Sequence, residues 1–497
     1  MKRCFLLLSL LLLIVGKGAA QESFEEYRSR LQQEFSSFKD SIHQNYEQFR
    51  KEINENYSKM LKEIWEEKAP EQSIPQPEEK PLPPVVMPEQ ERSKPIKRQQ
   101  LPIKEVIPPI TPKPQPLPIA PIKPIQASTY TSFPFTFMGT DMQVRLEKQM
   151  SAARLERAVK QGIPDCWSEM SAGELDILLS DCLGLRKRYA LCDWAYLSML
   201  RTLSAAYFGS QTDGALMLTA WLYCQSGYQM RLASQPGGRL VLLYASHHII
   251  YGRPYWELDG TKYYALDFDG TQLFISPASF PKEKPLSLYI NQTQHFAVSE
   301  SATRTLKSTR YPEMEFSVAV NMNAIAFYDT YPTSALQGDE STRWAMYANT
   351  PIDELTAQTL YPALKAKLSG KSKAEAVECL LNFVQTAFPY EYDDKVWGYD
   401  RAFFAEESLY YPCCDCEDRS ILFSRLVRDL LQLDVVLIYY PNHLATAVHY
   451  PEQVKGDYVM VDGKEYIVCD PTYIGARAGQ TMPGMDNATC KVILLQH

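Results

Sequence analysis

The chain reads as an α+β protein in which helices lead into antiparallel sheets, once in each half, behind a long helix and a proline-rich linker. Three observations carry that reading. Residues 416–470 run as a Leu-rich amphipathic segment, two apolar strands and a pair of strands turned at Asp462-Gly463, and Asp-Gly in such a place is the strongest short-range hairpin signal. The run Asp259-Gly-Thr-Lys-Tyr-Tyr-Ala-Leu-Asp267 matches Asp462-Gly-Lys-Glu-Tyr-Ile-Val-Cys-Asp470 at both aspartates, the glycine and Tyr263/Tyr466. Residues 24–67 repeat an apolar stripe every eleven residues, which is a helical period.

In chain order, Met1–Val15 joins a basic start to a short apolar core, followed by Gly18-Ala-Ala20. That is the pattern of a secretory signal peptide over residues 1–20. The apolar run is short for a membrane span, and no other segment is apolar enough for one. The mature chain is therefore expected to be exported, periplasmic or extracellular, with no retained transmembrane segment. Its 497 residues allow two or three domains. A net charge of −8 gives no footprint for nucleic acid. Disulfides are plausible among cysteines in an exported chain.

Residues 21–68 are expected to form one coiled-coil helix, about 66 Å long. Its stripe falls at Phe24, Tyr27 and Leu31, then at Phe35, Phe38 and Ile42. Such a helix has no core of its own, so residues 22–67 should pair with a second copy or lie on a surface. From residue 69 to 126 prolines crowd the chain, which predicts a stiff polyproline spacer with a reach on the order of 180 Å.

Residues 127–285 hold the first globular unit. Met142–Arg157, Ala172–Cys182 and Trp194–Phe208 read as helices. Thr212-Asp213 then opens a Leu-rich helix, as Glu417-Asp418 does later, with strands at Tyr228–Ala233 and Leu240–Ala245. This alignment sets Gln211 where the second unit has Cys416, so the first unit should be catalytically dead. His247 and His248 are read as structural. Residues 286–350 read as a β-rich connection, because Phe316–Tyr328 alternates apolar with polar or small residues. Residues 351–497 are the second unit. Before Cys416 it carries an insertion rich in aromatics, including Trp397, Phe403 and Tyr411, which either line a cleft or cover a helix end.

The chemistry gathers in that second unit. Cys416 sits at a predicted helix N-terminus, with Asp415 as N-cap, where a thiolate is favoured. Asp415, Glu417 and Asp418 oppose the thiolate, and Arg419 is the one close offset. His443 opens a strand, and Asp470 closes a neighbouring one. A thiol nucleophile needs such a base and such an orienting group. His449, six residues beyond His443, is the alternative base. Metal binding by Cys413, Cys414 and Cys416 fits poorly with spaced ligand pairs, so neither metal nor cofactor is expected.

The order Cys416-Glu-Asp-Arg-Ser420, Asn442-His-Leu-Ala445 and Cys469-Asp-Pro-Thr472 resembles the transglutaminase-like superfamily of cysteine hydrolases and acyltransferases. More narrowly, it looks like the bacterial branch that carries Asp-Cys-Glu-Asp before a Leu-rich helix. The resemblance covers the last 125 residues or so. It implies Cys416 as nucleophile, His443 as base and Asp470 as the residue orienting the histidine. It also implies a papain-like core in residues 351–497, with 127–285 a degenerate copy. The implied activity is acyl transfer through a Cys-linked thioester on a peptide or protein substrate, with hydrolysis favoured over transfer to an amine. The alternative is a non-catalytic scaffold that binds peptide or cell wall on a coiled-coil stalk.

Overall fold

A computed structural model of the protein describes residues 24–496 apart from 77–80, 93, 110–128, 269, 271, 337–338 and 340–341. The expected signal peptide lies outside the described residues, as does the end of the proline-rich stretch. The chain divides into two units, Met1–Ile53 and Asn54–His497. Among the described residues no helix is long and apolar enough to cross a membrane.

The first unit is helical from Phe24 onward, part of α1 (Phe24–Met60). Its stripe is exposed at Tyr27, Leu31, Phe35, Phe38 and Phe49. The helix stops at Met60, short of the expected 68, and the reason lies in the second unit. There Asn54, Tyr57, Ser58 and Leu61 are buried. Trp167 donates its indole N–H to Asn54 at 3.0 Å, and the Tyr57 ring stands 4.4 Å from it. Glu66–Lys68 then becomes a strand, β1.

The proline-rich stretch corrects a second expectation, because its described part is laid along the globular unit and is not a free spacer. It supplies β2 (Gln99–Gln100) and β3 (Glu105–Ile107), which pair parallel onto two edges of one sheet. Leu101, between them, is buried on that sheet's outer face with Val436, Ile438 and Val492. Proline has no N–H to give, but the donors used here are Gln99, Leu101 and Lys104.

The first half of the globular unit opens on an antiparallel hairpin, Tyr130–Phe137 with Thr140–Glu147. That replaces the helix expected from Met142. Met142, Val144 and Leu146 are buried while Asp141 and Gln143 are exposed, a period of two that fits a strand. The helix begins only at Ala152, capped by the Ser151 hydroxyl. Further on, α2 (Asp193–Phe208) and α3 (Asp213–Gln225) pack together. The sheet that follows comprises β4 (Met230–Ser234), β5 (Leu240–Ser246), β6 (Tyr255–Leu258), β7 (Thr261–Leu266) and β8 (Leu273–Ile275). Its strand order is β1-β8-β4-β5-β7-β6.

The connection over 286–350 is less β-rich than expected. Arg304–Lys307 pairs with Glu315–Val318, but Met322–Tyr328 is helical. Asn321 explains the change: its side-chain carbonyl accepts the Asn323 N–H at 3.2 Å and starts the helix. Thr342–Asn349 is a further helix.

The second half repeats the arrangement of the first. Helix Lys373–Ala387 precedes α4 (Cys416–Leu431). The strands are β9 (Val435–Tyr440), β10 (His443–Val448), β11 (Asp457–Val461), β12 (Lys464–Cys469) and β13 (Lys491–Leu494). The order is β2-β11-β12-β10-β9-β13-β3. Without the added edge strands, the two orders are the same strand for strand. Both hairpins turn on Asp-Gly pairs in the left-handed region, Asp259 and Gly260 at φ 50° and 72°, Asp462 and Gly463 at 49° and 78°, the geometry a tight primed turn demands.

Candidate active site

Cys416 is the first residue of α4 and Asp415 its N-cap, as the sequence predicts. The cap residue's own N–H donates to Asp418 at 3.2 Å, which fixes the entry into the helix. One turn on, the Ser420 hydroxyl donates to the Leu444 carbonyl at 2.7 Å and ties α4 to β10. The Leu444 N–H faces the Cys416 sulfur. This stitching brings the helix N-terminus to the start of β10, where His443 stands.

His443 Nε2 lies 2.9 Å from Asp470 Oδ2. The other oxygen of Asp470 accepts the N–H groups of Thr472 and Tyr473, at 2.8 and 3.2 Å. Gln385 holds this turn from behind, donating to the carbonyls of Asp470 and Tyr473 and accepting the Gly475 N–H. With Nε2 engaged, His443 Nδ1 is buried and without a hydrogen-bond partner. It is the ring atom left to take a proton. Cys416, His443 and Asp470 are 2%, 1% and 2% exposed, so the centre is closed to solvent.

The electrostatics run against a free thiolate. Burial pushes the Cys416 thiol well up, and the charges of Glu417 and Asp415 push it further; the Leu444 N–H is the opposing influence. Asp415 and Asp418 are themselves raised, by burial first and then by neighbouring carboxylates. Arg343 is the buried counter-charge, 2.7 Å from Asp400 and 3.7 Å from Glu417. Arg419, expected to offset the acids, instead donates to the carbonyls of Phe388 and Gln385 at 2.7 and 3.3 Å. Two sets of donors gather closely enough to hold a metal ion, Asp415 with Cys416 and Glu417, and Asp393 with Asp400 and Glu417. Their oxygens suit a hard cation. Cys413 and Cys414 belong to neither set.

His449, the alternative base, is held elsewhere. Its Nδ1 lies 2.9 Å from the Glu465 carbonyl, near the far end of β12 from Asp470. Trp397, Phe403 and Tyr411 pack on one another around Arg401, whose guanidinium lies 4.4 Å from the Trp397 ring centre. They form a cluster of their own. All ten described cysteines are free thiols. Tyr390 is the neighbour that sequence reasoning missed: its hydroxyl lies in the field of Cys416, after burial the largest influence on its raised pKa. The only signal was its place in the run Pro389-Tyr-Glu-Tyr before the insertion.

In the first half the matching corner holds other residues, and the register differs from the sequence alignment. Asp213, not Gln211, opens α3 as Cys416 opens α4. The Leu240 N–H donates to Asp213 at 3.1 Å, much as Leu444 faces Cys416. Arg239 and Leu240 stand where β10 begins with His443 and Leu444, and Asp267 follows β7 as Asp470 follows β12. Among the described residues no thiol and no imidazole lines this corner. It opens into a cavity of about 460 Å³ lined by Gln211, Asp213, Arg239 and Asp267 among others. His248 is buried and accepts the Leu288 N–H at 3.3 Å, and burial lowers its pKa to about 3, which suits a structural role.

No known family model, curated protein or solved structure matches the chain.

Proposed function

We propose that the chain is an exported thiol-dependent acyl-transfer enzyme of the transglutaminase-like kind, hydrolysing peptide or amide bonds through a thioester on Cys416. One observation carries the reading: a buried imidazole held by a carboxylate through one nitrogen, with its other nitrogen unengaged, at the strand that the cysteine-bearing helix is tied to. In this scheme His443 Nδ1 takes the proton from Cys416 Sγ as the sulfur attacks the carbonyl carbon. The tetrahedral adduct collapses, the C–N bond breaks, and the leaving amine takes that proton from His443. Water then attacks the thioester with His443 again as base, releasing the acid and restoring the thiol. The raised thiol pKa favours proton transfer concerted with attack over a resting thiolate.

The matching strand orders support an internal duplication, and Asp213 and Arg239 in place of thiol and imidazole support a first copy that has lost catalysis. The exposed stripe of α1 supports pairing with a second copy of the chain.

The test is alkylation of Cys416 by iodoacetamide across pH, read by peptide mapping so that Cys413 and Cys414 are scored separately. The expected result is a Cys416 rate that falls in His443→Ala and in Asp470→Asn. Equal rates in all three proteins would leave a peptide-binding scaffold as the better reading.

A further inference from the structure

A piece of the chain's own proline-rich stretch is bonded alongside the thiol centre. Leu82 donates its N–H to the Asn442 carbonyl at 3.0 Å, and its carbonyl accepts the Tyr390 hydroxyl at 3.1 Å. Asn442 immediately precedes His443, and Tyr390 is the neighbour of Cys416 described above. Further along, the Ile474 N–H donates to the Val85 carbonyl at 2.8 Å, and the Met87 N–H to the Ile474 carbonyl at 2.9 Å. Ile474 lies four residues past Asp470. Residues 82–87 thus bond to the residue before His443, to Tyr390 beside Cys416 and to the turn that follows Asp470.

Side chains add to the backbone bonds. Met87 is 3% exposed in an apolar cup with Tyr473, Ala476 and Met482, and Leu82 and Val85 pack against the same group. Val86 points outward and is 59% exposed. Pro83 and Pro84 fall between the positions whose N–H groups are used. Backbone bonding to an extended segment, with pockets for some side chains and not others, is how sheet edges bind peptides.

We propose that this groove is the substrate site of the thiol centre. Its substrate class is an extended, uncharged polypeptide segment with apolar side chains where Leu82, Val85 and Met87 stand and proline tolerated between them. Residues 82–87 are its resident competitor, which substrate must displace. The inference rests on the acyl-transfer reading for the word substrate, but the groove itself does not depend on catalysis.

The experiment compares the full chain with Met87→Asp, and with Val86→Asp as a surface control, by the iodoacetamide rate at Cys416. Charging the buried Met87 position should free the segment and raise that rate by about tenfold or more, while Val86→Asp leaves it unchanged. The acetylated, amidated peptide Pro-Leu-Pro-Pro-Val-Val-Met should then slow labelling of the Met87→Asp protein, and the same peptide ending in Asp should not. Equal rates in wild type and Met87→Asp, equal acceleration in both variants, or no protection by the peptide would each overturn the groove. The double variant Met87→Asp/His443→Ala separates the two ideas. If its Cys416 labels as fast as in Met87→Asp alone, the groove stands and the acyl-transfer reading falls.

Discussion

At Cys416 two effects of opposite sign meet, and their balance decides what the residue does. A helix N-terminus and the Leu444 N–H favour a thiolate; burial and two adjacent carboxylates oppose it more strongly. Glu417 is the first of those carboxylates and the one whose Oε2 lies 3.2 Å from the sulfur. Glu417→Gln should therefore move the pH profile of Cys416 alkylation down by about one unit; an unmoved profile would mean that burial and Asp415 set the thiol without it. The places of Cys416, His443 and Asp470 at element boundaries were legible in the sequence because local signals mark each boundary. Tyr390 was not, since nothing local ties it to a helix start twenty-six residues away. The two-residue slip that chose Gln211 has a physical origin too. Thr212 caps α3 through the Ala215 N–H at 3.1 Å, so the helix begins at Asp213, and matching Thr212-Asp213 to Glu417-Asp418 carries no information about the cap.

At the scale of elements, the helix Ala405–Tyr410 carries a buried acid with a measurable signature. Glu406 is 1% exposed, accepts the Asp353 N–H and pairs with no cation among the described residues. Burial pushes its pKa up to about 8. A carboxyl raised in the folded state gives stability that is whole below its unfolded value, about 4.3, and is lost as pH rises through the folded one. Urea denaturation should thus show the wild type weakening between pH 5 and 8.5. Glu406→Gln should flatten part of that loss, gaining on the order of 2 kcal/mol relative to wild type at the alkaline end. An unchanged slope would assign the loss to Asp393 and Glu407, which burial also raises. Elements were read well from sequence where one residue decides them, as the Asp-Gly turns show. They were misread where alternation and capping disagree: Phe316–Tyr328 alternates throughout, yet the Asn321 cap converts its second half to helix.

At the scale of the molecule, the proline-rich stretch was the largest misreading. Its partners include Tyr255 and Gly252 in the first half and Asn442, Gly456, Ile474 and Cys490 in the second, all far away in sequence, and composition says nothing about them. The repeat of α1 was legible because its period is local. Five exposed apolar side chains along that helix make a stripe that pairing would bury. Sedimentation equilibrium of the full chain should show a dimer or higher oligomer, and Phe35→Asp/Phe38→Asp a monomer; a wild-type monomer at high micromolar concentration would end the pairing idea. The strand order is the same in both halves once the added edge strands are set aside. The acyl-transfer reading is tested most directly by capturing the intermediate. Full-length protein and its Met87→Asp variant would be mixed with p-nitrophenyl acetate and quenched in acid, then analysed by intact-mass and peptide mass spectrometry. The account predicts one acetyl group on Cys416, slower to form in His443→Ala and absent in Cys416→Ala. Acetylation spread over surface lysines, with Cys416 unmodified in both proteins, would contradict it.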